Sequence, residues 1–184
     1  MQRFITLAFS ALLLLSLNAA TPETHYTVII SLDGFRWDYP DMYKTPNLDR
    51  MAADGVKAVM LPSYPASTFP NHYTLATGLV PDHHGIINNT FWDVKNRRQY
   101  SMGDSATRNN PEYYLGEPIW ITAQKQGVKT GNMYWVGSDI AIKKSHPTYY
   151  RPWNAKPFLT FEQRIDTVLT WLQKPEPERP RLIM

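Results

Sequence analysis

Apolar residues fall into short runs separated by turn formers, so the chain reads as many small elements and no long helix. Residues 4–17 are mostly apolar, follow Arg3 and precede the small residues Asn18-Ala19-Ala20. That pattern predicts a secretory signal peptide over residues 1–20, an uncleaved anchor being the alternative. The run is too short for a comfortable membrane span, and no later stretch approaches the roughly 20 apolar residues that a spanning helix needs. Residues 26–32 are apolar and β-branched without strict alternation, which predicts a strand buried on both faces and closed by Asp33-Gly34. Thr45 as N-cap, Pro46 as first helical residue and Gly55 as stop predict a helix between them.

Residues 56–61 read as a second strand and residues 71–77 as a short helix stopped by Gly78. Residues 118–126 read as a helix stopped by Gly127, followed by a strand over 129–135. The clearest helix starts at Thr160, where Thr160 and Gln163 form a capping-box pattern and Ile165, Val168, Leu169 and Leu172 recur at helical spacing; Pro175 ends it. Arg181-Leu182-Ile183-Met184 has the pattern of another buried strand beginning. Strands alternating with helices predict an α/β fold with a mostly parallel sheet flanked by helices.

Composition narrows the chemistry. The 184 residues contain no cysteine, which removes a disulfide framework, a thiolate metal site and a cysteine nucleophile together. A net charge of +3 with scattered Lys and Arg gives no surface of the kind that binds nucleic acid.

Three segments carry candidate chemistry. Asp33 stands at the carboxyl end of the first predicted strand, where ligands sit in open parallel sheets. It either binds a hard or borderline metal or makes a local turn bond. Thr68 stands where a loop enters a helix, and is either an N-cap or, with a metal to lower its pKa, a nucleophile. Asn88-Asn89 is either a turn or a donor to an oxygen that gains charge in a transition state. His72, His83 and His84 lack carboxylate partners at metal-ligand spacing, which disfavours zinc ligation by them.

The segments Leu32-Asp33-Gly34-Phe35-Arg36, Thr45-Pro46-Asn47-Leu48, Thr68-Phe69-Pro70-Asn71-His72 and Gly78-Leu79-Val80-Pro81-Asp82-His83-His84-Gly85, ending at Asn88-Asn89, resemble the nucleotide pyrophosphatase/phosphodiesterase family of the alkaline phosphatase superfamily. The likeness continues through Gly116 to Trp120, Trp135 to Asp139 and Pro157 to Leu172. It implies an alkaline-phosphatase-like fold and a site with two zinc ions, in which a threonine attacks a phosphodiester or pyrophosphate. By position, Thr68 matches the nucleophile and a ligand of one metal, and Asp33 a ligand of the other half of the pair. Asn89 matches the asparagine that contacts phosphate, and Phe69 an aromatic flooring the nucleotide base. Trp153 falls near a family tyrosine that stacks on the base. Trp135 and Asp139 line up with a stretch bordering the nucleotide pocket, and Arg108 falls near it; core packing is the other role open to the aromatics.

The resemblance implies further metal ligands beyond the strand that begins at Leu182. Residues 21–184 are therefore expected to be the N-terminal, truncated part of a catalytic domain that hydrolyses nucleotide phosphodiester or pyrophosphate bonds, inactive by themselves. The alternatives are a phosphate monoesterase of the same superfamily and a secreted, non-catalytic half-domain. The expected partner is a nucleotide or other small phosphodiester, and the expected location periplasmic or extracellular; the oligomeric state is not legible.

Overall fold

A computed structural model describes residues 24–184, so the predicted export signal lies outside the described residues. In chain order the elements are β1 (Thr27–Val28), α1 (Tyr39–Met42), α2 (Pro46–Asp54), α3 (Thr68–Thr77), α4 (Pro81–His84), β2 (Thr90–Asp93) and β3 (Arg98–Ser101). Then follow α5 (Ser105–Arg108), a 3-10 turn (Pro111–Tyr113), α6 (Ile119–Lys125), β4 (Thr130–Met133), β5 (Tyr149–Arg151), α7 (Phe161–Leu172) and β6 (Leu182–Ile183).

The main sheet runs β1-β6-β4-β5, and every neighbouring pair is parallel. Thr27 pairs with Leu182, Thr130 with Leu182, and Gly131 with Tyr149. β6, from the end of the described chain, thus sits between elements of the beginning and the middle. A separate antiparallel hairpin joins β2 to β3, with Phe91 opposite Tyr100. The α/β class with a parallel sheet flanked by helices is as the sequence predicts.

The core is unusually aromatic. Phe69, Tyr73, Tyr100, Tyr114, Trp120 and Trp135 are buried together with Ile86, Val136, Ile140 and Ile142. Helix α3 contributes Phe69, Tyr73 and Ala76 along one side, the spacing expected of a single buried stripe. Its left-handed stop is Gly78 at φ 69°, a conformation that costs glycine nothing. Helix α7 has the full reciprocal capping box: Gln163 N–H donates to Thr160 Oγ1, and Thr160 N–H to Gln163 Oε1.

Two predicted strands differ from what forms. Only Thr27–Val28 of residues 26–32 is strand, and Ile30 and Leu32 are exposed rather than buried on both faces. Residues 56–61 form no strand, and Val56 and Leu61 are almost fully exposed. The cause is pairing: β1 has a single neighbour, β6, and residues 56–61 have none among the described residues. The hairpin and β5 are additions that the apolar pattern did not announce. Among the described residues, no helix is long and apolar enough to cross a membrane.

Candidate active site

The chain leaves β1 into a β-turn. Phe35 N–H donates to Leu32 C=O at 3.1 Å, and the third turn position is Gly34 at φ 74°, where a side chain would be strained. This places Asp33 at the second turn position, exposed, beyond the carboxyl end of the strand. Thr68 approaches it from the other side. Its Oγ1 donates to Asp33 Oδ2 at 3.1 Å, so residues 35 positions apart meet through their functional atoms.

Thr68 is the first residue of α3, one place later than an N-cap; Ser67 holds the cap position, in extended backbone and without a side-chain cap bond. The Thr68 hydroxyl is therefore not spent on the helix and faces a carboxylate. The loop before it is held by Asn71. The Asn71 Oδ1 accepts from Ser63 N–H at 2.7 Å, and its Nδ2 donates to the carbonyls of Pro65 at 2.9 Å and Ser67 at 3.0 Å. One amide thus fastens residues 63–67 to the helix that presents Thr68.

Asn89 lies on the other flank. Its Oδ1 accepts from Phe69 N–H at 2.9 Å, and its own N–H donates to Asn88 Oδ1 at 2.8 Å. With the oxygen occupied, the side-chain NH2 is the end left to meet a ligand. Asp33, Thr68 and Asn89 are therefore gathered at the positive end of a ten-residue helix, which favours an anion.

The aromatic candidates separate. Phe69 is 1% exposed and belongs to the core; it meets the half-buried Trp153 edge-on at 5.1 Å between centroids. Trp135 is also buried, donating its indole N–H to His72 C=O at 3.1 Å. Burial pushes the Asp139 carboxyl above the usual carboxylate range, and the Arg108 guanidinium and Trp153 amide pull it part of the way back. Arg108 is itself buried, donating to Met102 C=O at 2.9 Å, a structural role.

Both ring nitrogens of His72 and of His84 are engaged within the protein. His84 Nδ1 accepts from Ile86 N–H, so its Nε2 carries the proton and donates to Thr74 Oγ1 at 3.0 Å. Burial holds this imidazole below the ordinary histidine value. Among the described residues, no group of three or more His, Cys, Asp or Glu is placed to hold a metal ion. The roles of Asn71 and His72 were not legible beforehand; their only signal was membership of the segment Thr68-Phe69-Pro70-Asn71-His72.

The sequence profile of the family described as "Type I phosphodiesterase / nucleotide pyrophosphatase" matches residues 27–184. Bovine ectonucleotide pyrophosphatase/phosphodiesterase family member 3 is 43% identical over 156 residues, covering 83% of this chain and 18% of its own length. Human family member 1 is 44% identical over 161 residues, covering 86% and 17%. Among solved structures, murine ectonucleotide pyrophosphatase / phosphodiesterase 5 superposes with a TM-score of 0.77 at 33% identity, over 86% of this chain and 42% of the other. An inactive threonine-to-alanine variant of that murine protein, in complex with AMP, also gives 0.77 at 32% identity. The chain thus spans less than a fifth of the curated relatives named here and under half of the solved ones. With the profile covering nearly all described residues and the parallel sheet matching in three dimensions, the chain belongs to the type I phosphodiesterase / nucleotide pyrophosphatase family.

Proposed function

We propose that this chain supplies the nucleophile side of a site that hydrolyses nucleotide phosphodiester or pyrophosphate bonds. The observation that carries this is the 3.1 Å contact between Thr68 Oγ1 and Asp33 Oδ2 at the start of α3. Thr68 Oγ attacks phosphorus, the bond to the leaving oxygen breaks with its electron pair, and the hydroxyl proton departs on the side facing Asp33. Asn89, fixed through its oxygen by the Phe69 amide, donates its N–H to a non-bridging oxygen as charge builds there. Water then cleaves the phosphothreonine. The inactive threonine variant of the murine relative, bound to AMP, supports a threonine in this role and a nucleotide in the site.

Asp33 and Thr68 are adjacent oxygen donors of the kind a divalent ion takes, and they would hold part of a two-zinc site, Thr68 on one ion and Asp33 on the other half of the pair. A divalent ion there supplies charge that lowers the hydroxyl's pKa and offsets that of the phosphate. Asp33 and Thr68 alone are fewer donors than a two-ion site takes, and we read residues 21–184 as the N-terminal part of a catalytic domain, with no turnover expected of them by themselves. Trp153, backed edge-on by Phe69, offers the surface on which a base stacks, with Trp135 and Asp139 bordering it. The ectonucleotide names of the relatives support an exported, periplasmic or extracellular protein.

The test is hydrolysis of a nitrophenyl thymidine phosphodiester against nitrophenyl phosphate by native-length protein, with zinc analysis. Diester turnover lost in Thr68→Ala, and two tightly bound zinc ions, are the expected results. A dominant monoester rate overturns the substrate class. Turnover by the isolated 184 residues overturns the incomplete site.

A further inference from the structure

The contact between Asp33 and Thr68 joins an exposed turn to the half-exposed start of α3, and neither backbone is held there by the sheet. A second link lies behind it. His72 Nδ1 is 2.8 Å from Thr68 C=O, one helical turn back, and His72 Nε2 is 2.8 Å from Ser31 Oγ. Ser31 stands two residues before Asp33. A carbonyl only accepts, so Nδ1 must carry the proton. In the neutral ring Nε2 is then an acceptor, and the Ser31 hydroxyl must donate to it. The ring is steadied in this pose by Trp135, which meets it edge-on at 5.4 Å and donates to the His72 carbonyl.

We propose that His72 is a positioning residue, an imidazole with its proton on Nδ1 that clamps the segment carrying Asp33 to the helix carrying Thr68 and thereby sets their separation. No other hydrogen bond among the described residues crosses between residues 29–34 and residues 66–72 except the Asp33–Thr68 bond itself. The clamp therefore controls alignment of nucleophile and carboxylate without touching substrate. Small misplacements of reacting groups slow an oriented reaction steeply while leaving binding nearly intact. The activity arm of the test rests on the phosphodiesterase reading above; the spectroscopic arm does not.

Imidazole 15N spectra of native-length protein at mildly alkaline pH, with the His72 signals assigned by their loss in His72→Asn, should show a protonated Nδ1 and a bare Nε2. The opposite tautomer overturns the clamp. In the kinetic arm, His72→Gln keeps an acceptor within reach of Ser31, whereas His72→Asn keeps only the inner atom. Ser31→Ala is expected to lower kcat about five- to tenfold with KM within about twofold, the effect of one hydrogen bond. It should act similarly on His72→Gln and have no effect on His72→Asn. Equal losses from Ser31→Ala in both backgrounds overturn the proposal. Wild-type protein without diester turnover overturns the functional reading, and the 15N spectrum then decides the clamp by itself.

Discussion

Phe69 N–H and Asn89 Oδ1 meet at 2.9 Å, and this bond decides which end of the Asn89 amide faces outward. Asn89→Asp keeps the acceptor for Phe69 and replaces the outward NH2 by a carboxylate oxygen. The expected result is a fall in kcat/KM for a diester of at least about a hundredfold, the range for losing one donor to a developing oxyanion. The melting temperature should stay near that of the wild type. Equal activity of the two proteins would remove Asn89 from the reaction.

Asn71 holds residues 63–67 by donating to two carbonyls at 3.0 Å or less while accepting one amide. Asn71→Asp is isosteric but has no N–H, so a carboxylate would face the Pro65 and Ser67 carbonyls. A loss of roughly 2–3 kcal/mol is expected from urea denaturation, since partly buried acceptors lose their donors and gain a negative neighbour. Thr68 should lose activity along with it, because its loop is no longer fastened.

His84 gives a pH dependence with a definite sign. Its folded imidazole titrates below the unfolded value of about 6.5. The unfolded chain therefore takes up the proton first, and acid favours unfolding. The contribution is complete above about pH 6.5 and is lost as pH falls towards the depressed folded value. His84→Asn retains an acceptor for Ile86 N–H and does not titrate. The difference in melting temperature between wild type and His84→Asn is expected to shrink, or reverse, on acidification across that window.

Gly131 marks a close approach of helix to sheet. A Cβ there would lie 2.8 Å from the Trp171 ring of α7, a contact that forces the buried indole to shift. Gly131→Ala is expected to destabilise by about 1–3 kcal/mol, as overpacking does, measured by thermal or urea unfolding. Trp171→Phe should relieve part of this in the double variant.

Local signals were read well and long-range ones were not. Thr160 and Gln163 announced α7 because a capping box is complete within four residues. Residues 26–32 and 56–61 looked alike as apolar runs, yet strand formation needs a partner, and only Thr27–Val28 has one. The hairpin of Thr90–Asp93 and Arg98–Ser101 was missed because its strands are mainly polar and its turn rests on Asp93 accepting from Asn96 N–H. At the site, Asp33, Thr68 and the Asn88-Asn89 pair stand out by position and chemistry, the resemblance selects Asn89 of the pair, and the fold brings Asp33, Thr68 and Asn89 together. It could not separate Phe69 and Trp135, which are buried, from the half-exposed Trp153. Nor could spacing reveal that Asn71 and His72 bond to the backbone and loop around Thr68, since their partners are backbone atoms and a serine 41 residues away.

The sheet order also sets a timetable. Thr27 finds its partner in Leu182, so the strand leading to Asp33 cannot dock until almost all the described chain has left the ribosome. At typical synthesis rates that interval is on the order of ten seconds, long compared with helix formation. Helix α3 and its aromatic packing assemble from nearer residues, whereas β1 waits for one of the longest loop closures among the described residues. Thr68 is thus framed early, and Asp33, the carboxylate that meets it at 3.1 Å, arrives late.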